Sequence, residues 1–269
     1  MEKNIQDRTH FDEVVATYNR IRPDYPDKLF SDVFDYVGTA GCKKVIEIGA
    51  GTGKATKPFL DAGYDVTAIE IGANMADFLE KEFLQYEKFE VLNEPFEDTR
   101  LENSKYDLIY AATAFHWIKA EIGCPKSFQL LKTGGVFALF RYNAVPDDDG
   151  DLHEEIQAVY EKYYHKPYTK PTIKARDEYE KPSEIVKGFG FDDLTKFGFA
   201  DVTIKLYDSV WTFSAEDYMS LLDTYPTHQS LKDSDRMSLY AGIKDAILRH
   251  GGKINIDYVF QLYMGRKYE

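Results

Sequence analysis

The sequence predicts an α/β fold in one domain over residues 1–269. This fold is a doubly wound, mostly parallel seven-stranded sheet with helical cap insertions. Three observations support it. Strand-like and helix-like segments alternate from residue 44 to about 141, which is typical of βαβ units and a parallel sheet. A glycine-rich loop follows the first strand, and an acid ends the second. Ligands of such sheets bind beyond the carboxyl ends of the strands.

Each predicted element has its own signal. The first strand is a short apolar run that stops at a glycine, and the turn at residues 133–135 introduces the fifth strand. Three acids at residues 147–149 precede a helix, where they suit helix capping better than metal binding. The predicted strands span residues 44–48, 65–69, 89–92, 107–112, 136–141, 202–207 and 256–264. The predicted helices span about residues 55–62, 74–86, 120–131, 152–164, 215–224 and 233–250.

The loop after the first strand predicts an adenosine site. Gly49, Gly51 and Gly53 occupy alternate positions, and glycine lets the backbone turn sharply and approach a ligand because no Cβ intervenes. Glu70 ends the second strand, where a carboxylate can accept hydrogen bonds from both hydroxyls of a ribose.

Specific residues exclude two kinds of nucleotide-binding loop. A dinucleotide fingerprint requires a third glycine where this chain has Lys54. A phosphate-binding P-loop requires Ser or Thr where this chain has Ala55, and a glycine where it has Ile48. The remaining pattern is E-x-G-x-G-x-G, beginning at Glu47, with an acid closing the next strand.

This pattern resembles motif I of the class I S-adenosylmethionine-dependent methyltransferases, which have a Rossmann-like fold. Two further motifs narrow the resemblance. The sequence Arg-Pro-Asp-Tyr-Pro at residues 22–26 precedes the sheet, and Ala-Phe-His-Trp at residues 114–117 follows the fourth strand. Together they look like the methyltransferase type 11 enzymes, and in particular the trans-aconitate methyltransferase-like group. The resemblance covers residues 10–140 well and weakens beyond them.

The resemblance implies S-adenosylmethionine as cofactor and S-adenosylhomocysteine as product. It places Glu70 on the ribose, Ala112 beside the sulfonium, and Tyr18 and Arg22 in a lid. Glu47 would orient the loop or bind its backbone, and Met75 could equally belong to the core. The full set of implied cofactor-binding residues is Tyr18, Arg22, Glu47, Gly49, Ala50, Gly51, Gly53, Glu70, Ile71, Met75, Pro95, Phe96, Glu97 and Ala112.

The acceptor site is predicted from residues beside the expected sulfonium. His116 is a candidate general base, although it could instead anchor the lid. Arg22 and Arg141 are candidate carboxylate clamps, because a guanidinium matches carboxylate geometry. The implied acceptor-binding residues are Tyr25, His116, Trp117, Tyr142 and Asn143. The remaining histidines share no spacing and are expected at the surface.

Composition restricts the other possibilities. The formal net charge of −13 argues against DNA or RNA as partner, since an acidic chain repels phosphates. Cys42 and Cys124 lack paired spacing, so neither a disulfide framework nor a metal site is expected. No signal-peptide core and no apolar run of membrane-spanning length is present, which favours a cytoplasmic protein.

The expected function is methyl transfer to a small molecule, with a carboxylate as leading acceptor and a methyl ester as product. Alternatives are N-, O- or C-methylation of an aromatic or apolar metabolite, a non-catalytic cofactor-sensing module, and a nucleotide-dependent dehydrogenase. The segments expected to serve these roles are a lid at 1–40, a cofactor core at 41–142, and cap segments at 143–198 and 212–250. The oligomeric state stays open.

Overall fold

The structure is a computed structural model that describes residues 15–38, 43–145, 150–164 and 176–268. Its described strands form one seven-stranded sheet in the order β3-β2-β1-β4-β5-β7-β6. The first five strands run parallel and β7 is antiparallel to both of its neighbours. The predicted doubly wound sheet is confirmed. The order reverses between β1 and β4, which is where ligands bind in open α/β sheets.

The central strands have the predicted positions, whereas the C-terminal strands are longer than predicted. β5 includes the predicted turn. Gly134, with φ +82°, lies in an irregular stretch of β5, between the residues that pair with Tyr106 and Leu108 of β4. β6 and β7 pair almost end to end, which extends both beyond their apolar cores. The strands are β1 Lys44–Ile48, β2 Asp65–Ile69, β3 Phe89–Leu92, β4 Tyr106–Ala112, β5 Leu131–Val145, β6 Ala200–Ser214 and β7 Lys253–Arg266.

The helices begin and end at recognisable signals. One begins after Ser214, whose side chain accepts a hydrogen bond from the Asp217 amide, and another ends at Gly190 in the left-handed conformation. Four were not predicted: Val15–Ile21, Asp27–Val37, Pro182–Phe189 and Pro226–Gln229. The described α-helices are α1 Val15–Ile21, α2 Asp27–Val37, α3 Thr56–Asp61, α4 Ala73–Glu82, α5 Ala120–Leu130, α6 Asp151–Tyr163, α7 Pro182–Phe189, α8 Ala215–Asp223, α9 Pro226–Gln229 and α10 Asp233–Arg249.

The sheet is covered on both faces, as its apolar strands require. On one face, α2, α3 and α4 pack over alternate residues such as Val45, Leu108 and Phe140. On the other, α5 and α7 pack over Ile46 and the other alternate residues. Each strand residue therefore belongs to one face by its parity, and this decides which side chains share a cavity.

A smaller helical cluster lies beside the end of β6. It is built from α6, α8 and α10, with Leu222, Leu239 and Ile243 buried at its centre. The acids at residues 147–149, Cys42 and two of the histidines expected at the surface, His10 and His165, lie outside the described residues. No described helix has both the length and the apolar character needed to cross a bilayer.

Candidate active site

The glycine loop turns back on the sheet directly after β1. The amide of Gly49 donates to the carbonyl of Ile69 at 2.8 Å, and Gly49, Gly51 and Gly53 all have positive φ. A Cβ on Gly49 would lie 2.6 Å from the Cβ of Ala114, and one on Gly53 would lie 2.3 Å from the Phe83 ring. The positive φ favours glycine at all three positions, and packing demands it at Gly49 and Gly53 as well.

Glu70 binds the loop and still faces the cavity. It is 7% exposed, and its two carboxylate oxygens accept from the amides of Gly51 at 2.7 Å and Gly72 at 2.8 Å. Each carboxylate oxygen has two lone pairs, so both can accept a further hydrogen bond. The carboxylate is thus preorganised beside the loop for a ligand with two neighbouring hydroxyls.

Glu47 lies beneath the loop rather than in the cavity. It is fully buried, and one oxygen accepts from the Thr56 hydroxyl at 2.5 Å and the Tyr110 hydroxyl at 2.8 Å. Burial raises the pKa of Glu47 to about 8, and the two hydroxyl donors only partly oppose the shift. This carboxyl ties β1, β4 and the start of α3 together, so it supports the loop from below.

A cavity of about 300 Å³ opens at the carboxyl ends of β1, β2, β4 and β5. Fourteen of the twenty predicted site residues line it, which are Tyr18, Arg22, Tyr25, Gly49, Ala50, Gly51, Glu70, Ile71, Met75, Phe96, Ala112, His116, Trp117 and Tyr142. We call the wall formed by the lining residues of segments 48–55, 69–75 and 94–96 the glycine-loop side; Gly53 and Pro95 are not among these lining residues. The wall formed by Tyr18, Arg22, Tyr25, Tyr142 and Tyr225 is the tyrosine side.

Arg141 and Asn143 do not reach this cavity, contrary to the prediction. β5 continues through both residues, so they alternate with Tyr142 and point to the opposite face. There the Arg141 guanidinium packs against Gly188 and lies 5.9 Å from the centre of the Phe189 ring, and it donates to the Asn143 side chain. Arg141 is therefore no clamp for a ligand in the cavity.

Four other predicted residues stand behind the cavity wall. Gly53 packs on α4, and Glu47 lies below the loop. Pro95 and Glu97 belong to the turn after β3, where Glu94 and Phe96 reach the cavity instead. This turn is fixed by Lys126, whose ammonium donates to the carbonyls of Phe96 at 2.5 Å and Thr99 at 2.6 Å.

The tyrosine side surrounds a buried cation. Arg22 is 8% exposed and donates to the Thr224 carbonyl at 3.0 Å and the Tyr142 hydroxyl at 3.4 Å. Its guanidinium also lies 4.5 Å from the centre of the Tyr225 ring and 5.1 Å from that of Tyr18. Its Nε is buried without a partner, and among the described residues no carboxylate pairs with it.

Three tyrosines of this wall, Tyr18, Tyr25 and Tyr225, stay protonated at neutral pH. Burial raises the pKa of Tyr18 to about 12 and raises the pKa of Tyr25 well above its usual value. Burial raises the pKa of Tyr225 as well. These side chains are therefore neutral hydroxyls, and Arg22 keeps its positive charge without a compensating phenolate.

The sequence did not predict several residues in and behind the cavity wall. Tyr225 follows α8, about two hundred residues from Arg22, and no local pattern connects them. Lys54 lines the cavity and pairs with Asp24 at 2.5 Å, which joins the loop to the segment between α1 and α2. His228, expected at the surface, is 8% exposed and bonds to the Tyr160 hydroxyl at 2.9 Å behind Tyr225. Thr113 was also missed.

Comparisons with known proteins agree with this geometry. Residues 46–139 match the family model of a methyltransferase domain. An uncharacterised methyltransferase of Schizosaccharomyces pombe is 25% identical over 245 residues, covering 87% of this chain and 85% of the relative. A probable S-adenosylmethionine-dependent methyltransferase of Saccharomyces cerevisiae is 28% identical over 199 residues, covering 70% of this chain and 65% of the relative.

The fold is shared with solved enzymes. Phosphoethanolamine N-methyltransferase 2 of Haemonchus contortus, in complex with S-adenosyl-L-methionine, has a TM-score of 0.55 at 14% identity. The match covers 100% of this chain and 60% of the Haemonchus chain, so this protein spans less than two thirds of that enzyme's length. Residues 46–139, which include the glycine loop and the Glu70 carboxylate, form a methyltransferase domain, and the family match and the relatives support an S-adenosylmethionine-dependent methyltransferase.

Proposed function

We propose that the protein methylates the carboxylate of a small organic acid and forms a methyl ester. The observation that carries this proposal is Arg22, a buried cation on the cavity wall whose Nε has no partner and to which no described carboxylate pairs. An unpaired buried charge is costly, and an anionic ligand would offset that cost. A guanidinium can also bind both oxygens of a carboxylate.

The glycine-loop side would hold the cofactor. Its residues fit this ligand, since the loop backbone is open to close approach at Gly51 and Glu70 presents a preorganised carboxylate for the ribose hydroxyls. Ile71 and Met75 would flank the adenine, with Phe96 at its rim and Ala112 beside the sulfonium. Bound there, S-adenosylmethionine supplies an electrophilic methyl group.

The tyrosine side would hold the acceptor. A carboxylate already carries the electron pair that forms the new O–C bond, so no general base is needed. Arg22 would orient the acid, and the protonated tyrosines would exclude water and donate hydrogen bonds. The likeness to the trans-aconitate methyltransferase-like group at residues 22–26 and 114–117 supports the same acceptor class.

A second candidate function rests on His116 and Trp117. Both line the cavity, and their rings lie 5.1 Å apart. If the acceptor were a phenol or an amine, His116 would remove its proton, and the aromatic wall would bind its ring. Arg22 disfavours an ammonium acceptor, because two cations would then share one buried wall.

The test is release of S-adenosylhomocysteine from purified protein with matched probes. Benzoate and trans-aconitate are compared with their amides, which keep the shape but lack the charge, and with phenol and aniline. The proposal expects turnover with an acid and none with its amide. Turnover with phenol or aniline and none with any carboxylate would favour the second candidate.

A further inference from the structure

Thr113 has a backbone conformation that β-branched residues avoid. It directly follows β4 and has a φ of +55°. The other described non-glycine residues with positive φ are Ser104 and Asp201, which are not β-branched. Strained residues persist where the surrounding structure imposes them, and they concentrate at functional sites.

The strand pairing imposes this conformation. The Thr113 amide donates to the Phe140 carbonyl of β5 at 2.7 Å, which extends the β4–β5 pairing by one residue. The next residue, Ala114, packs against Gly49 of the glycine loop. Thr113 is thus held where the glycine-loop side meets the tyrosine side.

The Thr113 hydroxyl pairs with a tyrosine from the lid segment. The two oxygens of Thr113 and Tyr25 are 2.7 Å apart, and both residues line the cavity. The Tyr25 ring is held edge-on by Phe140 at 5.0 Å, Phe260 at 5.8 Å and Phe30 at 6.2 Å. Its hydroxyl therefore has a fixed position.

Two hydroxyls that share one hydrogen bond keep one proton free. Whichever oxygen donates, the other O–H proton of the pair has no acceptor among the described residues. This donor belongs to a part-buried pair in the cavity wall, so the pair is suited to an acceptor atom on a bound ligand.

We infer that the Thr113–Tyr25 hydroxyl pair positions the methyl acceptor by donating a hydrogen bond to one oxygen of its carboxylate. This inference rests on the proposed function. The bonded oxygen is held in place while the other oxygen forms the O–C bond and the C–S bond breaks. The electron pair of the broken bond stays on sulfur, and no proton moves. The pair acts by alignment, which is a large part of catalysis in displacement reactions.

Four variants test the pair with whichever probe gives turnover. Tyr25→Phe and Thr113→Val each remove one hydroxyl and should lower kcat/KM for the probe by about tenfold or more, the effect of one lost hydrogen bond. The double variant should be little worse than either single one, because both break the same interaction. Thr113→Ser keeps the hydroxyl and should retain most activity.

Controls separate positioning from lid anchoring. Tyr36→Phe is a control away from the cavity. It removes the hydrogen bond that the Tyr36 hydroxyl of α2 donates to the Asp201 carbonyl of the sheet, and it should leave kcat/KM unchanged. Thr113→Gly should raise the melting temperature by relieving backbone strain and still lose activity. A structural role would instead lower the melting temperature and the cofactor affinity together.

Failure of this inference can be distinguished from failure of the proposed function. Wild-type kcat/KM for Thr113→Val with a reacting probe overturns the hydroxyl pair, even if that probe is a carboxylate. If no carboxylate reacts, binding of benzoate and trans-aconitate to the S-adenosylhomocysteine-loaded protein is measured by calorimetry. Absence of both turnover and binding overturns the carboxylate proposal and the pair with it.

Discussion

The two walls of the cavity are built in different ways. The glycine-loop side comes from adjacent segments of one βαβ unit, and its key contact joins residues nineteen positions apart, Gly51 and Glu70. The tyrosine side is assembled from residues 18–25, β5 and the residues after α8, and Arg22 bonds to Thr224 across 202 positions. A compact motif thus specifies one wall, whereas the whole fold specifies the other.

This difference predicts that the two walls can be damaged separately. Changes on the glycine-loop side should act on cofactor affinity, because that wall has its own backbone hydrogen bonds. Changes on the tyrosine side should act on the acceptor. The contact between Lys54 and Asp24 joins the walls, but it is an ion pair with Asp24 largely exposed and should couple them only weakly.

Gly51→Val should produce the largest effect. Gly51 has φ +60° and borders the open cavity, so valine adds both backbone strain and bulk where the ligand approaches. We expect affinity for S-adenosylmethionine to fall by at least about 100-fold, measured by calorimetry.

Gly63→Val is the matched control. Gly63 also has positive φ and open space around it, but it lies outside the cavity wall. This variant should lose about 1–3 kcal/mol of stability through backbone strain and keep its cofactor affinity. Equal affinity losses in both variants would show that strain alone, and not ligand exclusion, explains the Gly51 result.

Glu47→Gln should change how stability depends on pH. The folded pKa of Glu47 is about 8, above its ordinary 4.5, so the folded state binds more protons between these values. Its contribution to stability is fully present below pH 4.5 and is lost as pH rises through 8.

Urea unfolding of the wild type should therefore show a decline of about 2–3 kcal/mol between about pH 5.5 and about pH 7.5 that Glu47→Gln lacks. Glutamine can still accept from Thr56 and Tyr110, so the contacts under the loop remain. Parallel pH profiles for both proteins would mean that Glu47 is ionised in the folded state.

Glu70→Ala should weaken S-adenosylmethionine binding by about 1–3 kcal/mol, since charge-assisted hydrogen bonds to the ribose are lost. Glu90→Ala is its control, because Glu90 accepts a hydrogen bond from Thr67 on the same sheet but lies outside the cavity wall. Unchanged calorimetric affinity in Glu70→Ala would show that the ribose does not bind at this position.

The glycine-loop side could be predicted because its signal is local. Glycine spacing and the acid at Glu70 are separated by one helix, so their meeting follows from βαβ geometry alone. The parallel strands β1–β4 were predicted for the same reason. Arg22 was predicted as a site residue from its place in the Arg-Pro-Asp-Tyr-Pro motif. No sequence pattern predicted its partners.

The tyrosine side could not be predicted in full. The end of β5 was placed too early, which put Arg141 and Asn143 into the cavity, although strand parity sends them to the other face. Pairing with the long β7 extends β5, and that pairing is non-local. The position of Tyr225 depends on how α8 packs, and the positive φ of Thr113 depends on the pairing of β4 with β5.

The central claim is that the two walls divide the two ligands, and Arg22 tests it most directly. Arg22→Met should raise KM for the carboxylate that gives turnover by about 10–100-fold, the value of a charged hydrogen bond, and leave the Kd for S-adenosylmethionine unchanged. Arg141→Met, which removes a part-buried arginine on the opposite face, should change neither. A parallel loss of S-adenosylmethionine affinity in Arg22→Met would assign Arg22 to the cofactor and contradict this division.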